Sequence, residues 1–250
     1  MRILITNDDG ARADGIRLLE EIARSLTDDV WVVAPELEQS GAGHSLTLRR
    51  PLRLKRYDEQ VFSVDGTPTD AVLMAIGHVL REHKPDLVLS GINRGGNLGE
   101  DVTYSGTVSA AMEGCLLSVP SIALSLNVTG TQQAECDTAA AFIPDLVRKL
   151  TAEGWPEGVL INVNIPNIPA EKVTGTDVVA LGRRKLGDQL EKRLDPRGYP
   201  YYWIGPMREE APEQPETDLA SVLSGRIAVT PIHLDLTQRD EIPRLRTALE

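Results

Sequence analysis

Two aspartates stand side by side near the start of the chain, in the stretch Met1 to Gly10, MRILITNDDG. Ile3 to Thr6 is an apolar run with β-branched members, suited to a buried strand, and it breaks abruptly into Asn7, two carboxylates and a glycine. Successive strand residues point to opposite faces, so Asp8 and Asp9 converge only where the backbone has already turned, as Asn7 and Gly10 allow. Carboxylates held that close repel each other unless a cation lies between them, which reads as half of a divalent-metal site. The alternative is local: one Asp caps the next helix and the other is solvated.

Two later loops carry further candidates. Glu36 to Ser45 contains Gln39-Ser40-Gly41-Ala42-Gly43-His44, whose glycines let backbone approach a ligand closely. Ser90 to Gly99 holds Asn93 and Asn97 among four glycines, more than a turn requires. Beyond it, Ser105-Gly106-Thr107 begins a helix, where hydroxyls and free N–H groups suit a phosphate; Ser105 or Thr107 serves equally well as a plain N-cap. If the loops follow parallel strands, Asp8, Asp9, Ser40, Asn93 and Asn97 share the sheet's carboxyl edge, where ligands bind in such folds. The donors are all oxygens, which suits a hard cation such as Mg²⁺ or Mn²⁺ with positions left for water and substrate. A hard cation beside a Ser-Gly-Thr helix start points to phosphate-ester hydrolysis, with a polarised phosphoryl oxygen and a water attacking in line. His44 is a candidate general acid for the leaving oxygen.

The elements that must position these residues follow from periodicity. Ile16, Leu19, Ile22, Ala23 and Leu26 fall at helical spacing in 15–26, and Val30 to Ala34 is a second buried strand, giving a βαβ unit. Leu46 to Leu54 and Val61 to Val64 read as a β excursion. Thr67-Pro68-Thr69-Asp70 has the form of a capped helix start, with the helix running to about Glu82. Asp86 to Leu89 is the third parallel strand, and a helix begins at about Ser109. Ser121 to Leu126 and Val159 to Asn164 are strands flanking a helix over 134–151. The alternation predicts an α/β, Rossmann-like, doubly wound and mainly parallel sheet over residues 1–181. Residues 182–250 change character to a C-terminal extended arm or hairpin with a small α+β tail. The basic stretch Gly182 to Glu191, the aromatic run Tyr199 to Trp203 and the acidic linker Glu209 to Glu216 lie there. Concentrated aromatics outside the main alternation suit docking on another subunit or lining a pocket, with Arg183 and Arg184 beside them on the nucleoside side.

Composition narrows the function. The 250 residues carry a formal net charge of −11, which argues against a binder of nucleic-acid duplexes. Cys115 and Cys136 form no CxxC pattern, so neither a disulfide framework nor a structural zinc site is expected. The N-terminus starts with a strand and no apolar run approaches a membrane span, so a cytoplasmic location away from membranes is expected.

Taken together, NDDG, SGAGHSLT, GTPTDAV, SGINRGGNLGEDVTYSGTVSAAMEG and DPRGYPYYWIG resemble the SurE family, the stationary-phase survival protein nucleotidases, from Met1 to about Pro231. The resemblance implies a divalent-metal-dependent phosphatase acting on nucleoside 5′-monophosphates, on 3′-monophosphates too, and in some members on short polyphosphate. It puts the metal ligands at Asp8, Asp9, Ser40 and Asn93, with one Mg²⁺ or Mn²⁺ per subunit, and makes Asp8 and Asp9 the catalytic pair. It puts the phosphate contacts at Asn97 and Ser105-Gly106-Thr107, and implies a homodimer or homotetramer through the C-terminal arm. The rivals are a Mg²⁺-binding receiver-like module and a nucleotide-binding module without turnover. A receiver needs an Asp at the end of its third strand, where this chain has Ser90-Gly91-Ile92-Asn93.

Overall fold

Ile3, Leu4 and Ile5 are wholly buried because the first strand lies inside a nine-stranded sheet with helices on both faces. The computed structural model describes residues 1–184, 190–204 and 215–250. The first half of the chain forms β1 (Ile3–Thr6), α1 (Asp14–Arg24), β2 (Val30–Pro35), β3 (Leu54–Arg56), β4 (Val61–Val64), α2 (Pro68–Met74), β5 (Leu87–Arg94) and α3 (Gly106–Leu116). There follow β6 (Ser121–Asn127), α4 (Cys136–Ala152), β7 (Val159–Pro166), β8 (Thr176–Val178), β9 (Leu190–Leu194) and β10 (Pro200–Ile204). The chain closes with α5 (Asp218–Leu223), β11 (Ile227–His233) and α6 (Glu241–Leu249).

The sheet order is β3-β4-β2-β1-β5-β6-β7-β11-β8, and β4, β2, β1, β5, β6 and β7 run parallel. From β1 the chain first builds outward through β2 and β4, then crosses to β5 on the other flank. The carboxyl ends of β1 and β5 therefore flank the topological switch point, the position where open α/β sheets bind their ligands. The two faces are separately filled. Ile3 and Ile5 pack with Ile16, Leu19 and Ile22 of α1 and Ile143 and Val147 of α4. Leu4 points the other way, to Ala71 and Val72 of α2 and Ala110 of α3. Each large aliphatic side chain so buried contributes roughly 1.5–3 kcal/mol.

The expected cap on α2 is present: Thr67 Oγ1 accepts from Asp70 N–H, and Asp70 accepts from Thr67 N–H. It also holds the end of the Ser40 loop, since Asp70 Oδ1 accepts from Thr47 N–H at 3.0 Å and Thr67 Oγ1 donates to Ser45 O at 2.7 Å. The helix expected to reach Glu82 is α-helical only to Met74 and continues as a π-helical turn over Ala75–Val79. The β excursion is shorter than Leu46 to Leu54. Pro51 lacks an N–H, and Thr47 and Arg53 direct theirs to the Asp70 and Asp65 carboxylates, so only Leu54–Arg56 pairs.

The largest departure concerns Ser90 to Gly99, which begins as strand. β5 stays paired with β6 as far as Arg94, across a register shift that contains the cis Gly91–Ile92 peptide bond. Gly91 permits this: a Cβ there would lie 2.3 Å from Leu124 O. Past residue 181 the chain contributes to both sheets. β9 and β10 form a separate antiparallel hairpin with Tyr199, Tyr202 and Trp203 exposed, whereas β11 pairs with β7 in the large sheet. Residues 185–189 of the basic stretch and 209–214 of the acidic linker lie outside the described residues.

Candidate active site

Asn7 makes the turn that β1 needs. Its Oδ1 accepts from Gly10 N–H at 3.1 Å and its Nδ2 donates to Gly10 O at 3.0 Å, closing a side-chain clamp around the two aspartates. Asp8 is buried, and Thr107 Oγ1 donates to Asp8 Oδ1 at 2.5 Å. The Thr107 main-chain amide also acts on this carboxylate. The first turn of α3 is thus pressed against Asp8, and only glycine fits at Gly106, where a Cβ would lie 2.6 Å from Asp8 Cβ. Ser105 is the N-cap of α3, accepting from Val108 N–H at 3.0 Å. The helix therefore begins three residues before the expected Ser109, at the Ser-Gly-Thr triplet itself.

Asp9 is half-exposed beside Asp8. Burial, then the Asp8 charge and the Glu38 charge, push its carboxyl up from the usual 3.8 to about 6, while the Arg94 main-chain amide pulls the other way. Burial likewise raises Asp8. The Ser40 loop is anchored to the pair because Gln39 N–H donates to Asp8 O at 2.8 Å. Ser40 itself is exposed, and its hydroxyl donates to Glu38 Oε1 at 2.9 Å. Asn93 sits in β5 next to Arg94, with Nδ2 donating to Gly95 O at 2.8 Å, which leaves Oδ1 for another partner. Under these strand ends, the Thr6 and Ser90 hydroxyls are paired in register and buried without hydrogen-bond partners.

Asn97 is buried and held from below by side chains that periodicity did not single out. Its main-chain N–H donates to Asn164 Oδ1, its carbonyl accepts from Asn162 and Asn164, and its Nδ2 donates to Ser125 Oγ. Gly99 N–H donates to Asp218 Oδ2 at 2.8 Å, and the other oxygen of Asp218 accepts from Gly182 N–H at 2.7 Å. The signal for the first group was present: Asn162 and Asn164 alternate on one face of an otherwise apolar strand, a pattern that demands partners. Glu38 and Asp218 carry no such local signal.

Two further candidates, His44 and Arg184, have partners of their own. His44 Nε2 lies 3.0 Å from Glu113 Oε2 of α3, so Glu113 is the partner that orients the imidazole. Arg184 is mostly buried; its guanidinium pairs with Asp101 and its main-chain N–H donates to Glu100, while its Nε is buried without a partner among the described residues.

A cation fits this donor set. Asp8 and Asp9 have no ion-pair partner among the described residues, and burial, with the neighbouring Glu38 charge, raises both carboxyls. No cluster of three or more His, Cys, Asp or Glu ligands forms among the described residues, so the remaining donors would be neutral oxygens, as Ser40 and Asn93 supply. Hard divalent cations accept that set.

The chain is similar to a family of known proteins. Residues 3–188 match the family model described as survival protein SurE. A Paramagnetospirillum magneticum protein named 5′-nucleotidase SurE is 56% identical over 248 residues, covering 99% of this chain and 95% of that one. A Brucella anthropi protein of the same name is 52% identical over 252 residues, covering 100% of this chain and 97% of that one. The crystal structure of the Sure protein from Aquifex aeolicus matches with a TM-score of 0.89 at 44% identity, covering 100% of both chains.

Two outcomes follow from the geometry. A raised folded-state pKa means that Asp9 favours folding while protonated, and that this contribution is lost as pH rises from about 3.8 through about 6. In EDTA, Asp9→Asn should therefore melt above the unsubstituted protein at pH 7.5, the difference should vanish below about pH 4, and Mn²⁺ should raise the melting temperature of the unsubstituted protein by more than that of the variant. Thr107→Val preserves shape and the Ser105 cap but removes the hydrogen bond to Asp8; Mn²⁺ affinity by calorimetry should weaken by about 10- to 100-fold, and unchanged affinity would contradict the coupling.

Proposed function

This chain belongs to the survival protein SurE family, and on that premise we propose that it is a 5′-nucleotidase, a divalent-metal-dependent phosphatase that hydrolyses nucleoside 5′-monophosphates to nucleoside and phosphate. The observation that carries the reading is the contact between Asp8 and the first turn of α3, which joins an unbalanced acid pair to an anion-binding helix end at one crevice.

Asp8, Asp9, Ser40 and Asn93 would hold one Mg²⁺ or Mn²⁺ per subunit. When bound, the cation supplies polarisation of a phosphoryl oxygen and a more acidic water. The chain's own groups do the rest. Asn97 and Ser105-Gly106-Thr107 bind the phosphoryl oxygens and orient them for in-line attack. Thr107 in addition keeps the Asp8 carboxylate turned toward the crevice through its hydroxyl. Asn7 and Gly106 hold the acid pair against the helix, so little reorganisation is needed when substrate arrives.

The proposal extends to 3′-monophosphates and short polyphosphate as further substrates. It extends also to a homodimer or homotetramer formed through the C-terminal arm, in keeping with the exposed Tyr199, Tyr202, Trp203 and Ile204. A cytoplasmic location completes it; among the described residues no helix is long and apolar enough to cross a membrane.

Phosphate release from a nucleoside 5′-monophosphate, measured with Mn²⁺ and again in excess EDTA, tests the reading. Turnover should appear with Mn²⁺, disappear in EDTA, and fall about a thousandfold or more in Asp8→Asn, in line with several kcal/mol of lost charge stabilisation. Full turnover in EDTA would contradict the metal site, and binding without turnover in any metal would favour a regulatory module.

A further inference from the structure

Asn162 and Asn164 are wholly buried on β7, one residue apart on the same face. Two primary amides in a strand core are costly unless their hydrogen bonds are made, so their retention asks for a purpose. Both are directed at a single residue. Asn97 N–H donates to Asn164 Oδ1 at 2.8 Å, and Asn164 Nδ2 donates back to Asn97 O at 3.0 Å, a two-bond pairing of the kind that joins neighbouring strands. Asn162 Nδ2 donates to the same carbonyl at 2.9 Å. The Asn97 side chain is fixed as well, Nδ2 donating to Ser125 Oγ at 2.8 Å. Ser125 is next to Asn164 in the β6–β7 register and next to Asn93 in the β5–β6 register, so a polar row crosses the strand ends under the crevice.

The loop is tied elsewhere, by Gly95 N–H to Leu126 O and Gly99 N–H to Asp218, but the hydrogen bonds of Asn97 itself go to this row among the described residues. Gly95 has a positive φ of 130°, and Gly96 and Gly99 flank the remaining positions. Without side-chain anchors, such a sequence samples many conformations. We infer that Asn164, assisted by Asn162 and Ser125, is a positioning residue of the phosphatase reaction: it touches no substrate and sets where the Asn97 amide meets the phosphate. The inference rests on reading Asn97 as a phosphate contact. Asp8 and Asp9 are positioned independently, by Thr107, Gln39 and the Asn7 clamp. Asn93 is next to Ser125 in register, but its Nδ2 donates to Gly95 O and not to the row, so disturbing Asn164 changes phosphate binding more than the metal site.

The test uses the full chain loaded with Mn²⁺ and compares Asn164→Asp, Ser125→Ala and Asn97→Ala. Asn164→Asp keeps size and the acceptor for Asn97 N–H but loses the donor to Asn97 O. In Asn164→Asp, KM for a nucleoside 5′-monophosphate and the inhibition constant of inorganic phosphate should both rise about 10-fold or more. Ser125→Ala should move both in the same direction by less, and the Mn²⁺ concentration for half-activation should change by less than about twofold in either variant. Adding Asn97→Ala to Asn164→Asp should cost little more, because the two act as a unit. A purely structural role lowers the melting temperature and the active fraction but leaves KM and phosphate inhibition unchanged. That result in Asn164→Asp, or in Ser125→Ala should Asn164→Asp not fold, overturns the inference when Asn97→Ala is itself impaired. If Asn97→Ala leaves both constants unchanged, the phosphate reading of Asn97 fails and the inference with it.

Discussion

The hydrogen bond from Thr107 to Asp8, 2.5 Å long and spanning 99 positions of sequence, joins the end of β1 to the start of α3. Everything around it serves that contact. Gly106 removes the Cβ that would keep the helix off the strand, Ser105 caps the helix so that it can start there, and Asn7 turns the chain so that Asp8 faces it. The cost is an acid pair partly screened from water with no cation of its own among the described residues. A carboxylate in that state is stabilised by the helix dipole and by hydrogen bonds, but one bound divalent ion would stabilise it far more.

The crevice has a second support that comes from late in the chain. Asp218, wholly buried at the start of α5, accepts hydrogen bonds from Gly99 beside the Asn97 loop and from Gly182 at the base of the arm. A residue more than a hundred positions downstream thereby ties the C-terminal region to the loop read as the phosphate contact. Tethering of this kind makes the residues after 181 part of the site's scaffold, whatever their further use in assembly.

Much of this was legible from residue types. The alternation of apolar runs predicted the parallel strands, and Thr67-Pro68-Thr69-Asp70 predicted a cap that the structure contains in full. Asn7 and Gly10 announced the turn after β1. Local patterns failed where long-range pairing decides. Ser90 to Arg94 reads as loop because of its glycine and asparagine, yet Gly91 is what lets the strand lie against Leu124. Ile227–His233 reads as part of a tail, yet its backbone completes the sheet beside β7. His44 sits in the right loop for a general acid, and its partner Glu113, 69 positions downstream, is visible only in the structure. Glu38, exposed and unremarkable in sequence, acts on both aspartates.

The central claim is that Asp8 and Asp9, with Ser40 and Asn93, hold one hard cation against the first turn of α3. A crystal of the protein soaked in Mn²⁺ and measured at an X-ray energy where manganese scatters anomalously tests it directly. A single anomalous peak per subunit is expected, within ligand distance of oxygens of both aspartates, of Ser40 and of Asn93. No peak at the end of β1, or a peak that survives Asp8→Asn and Asp9→Asn together, would contradict it.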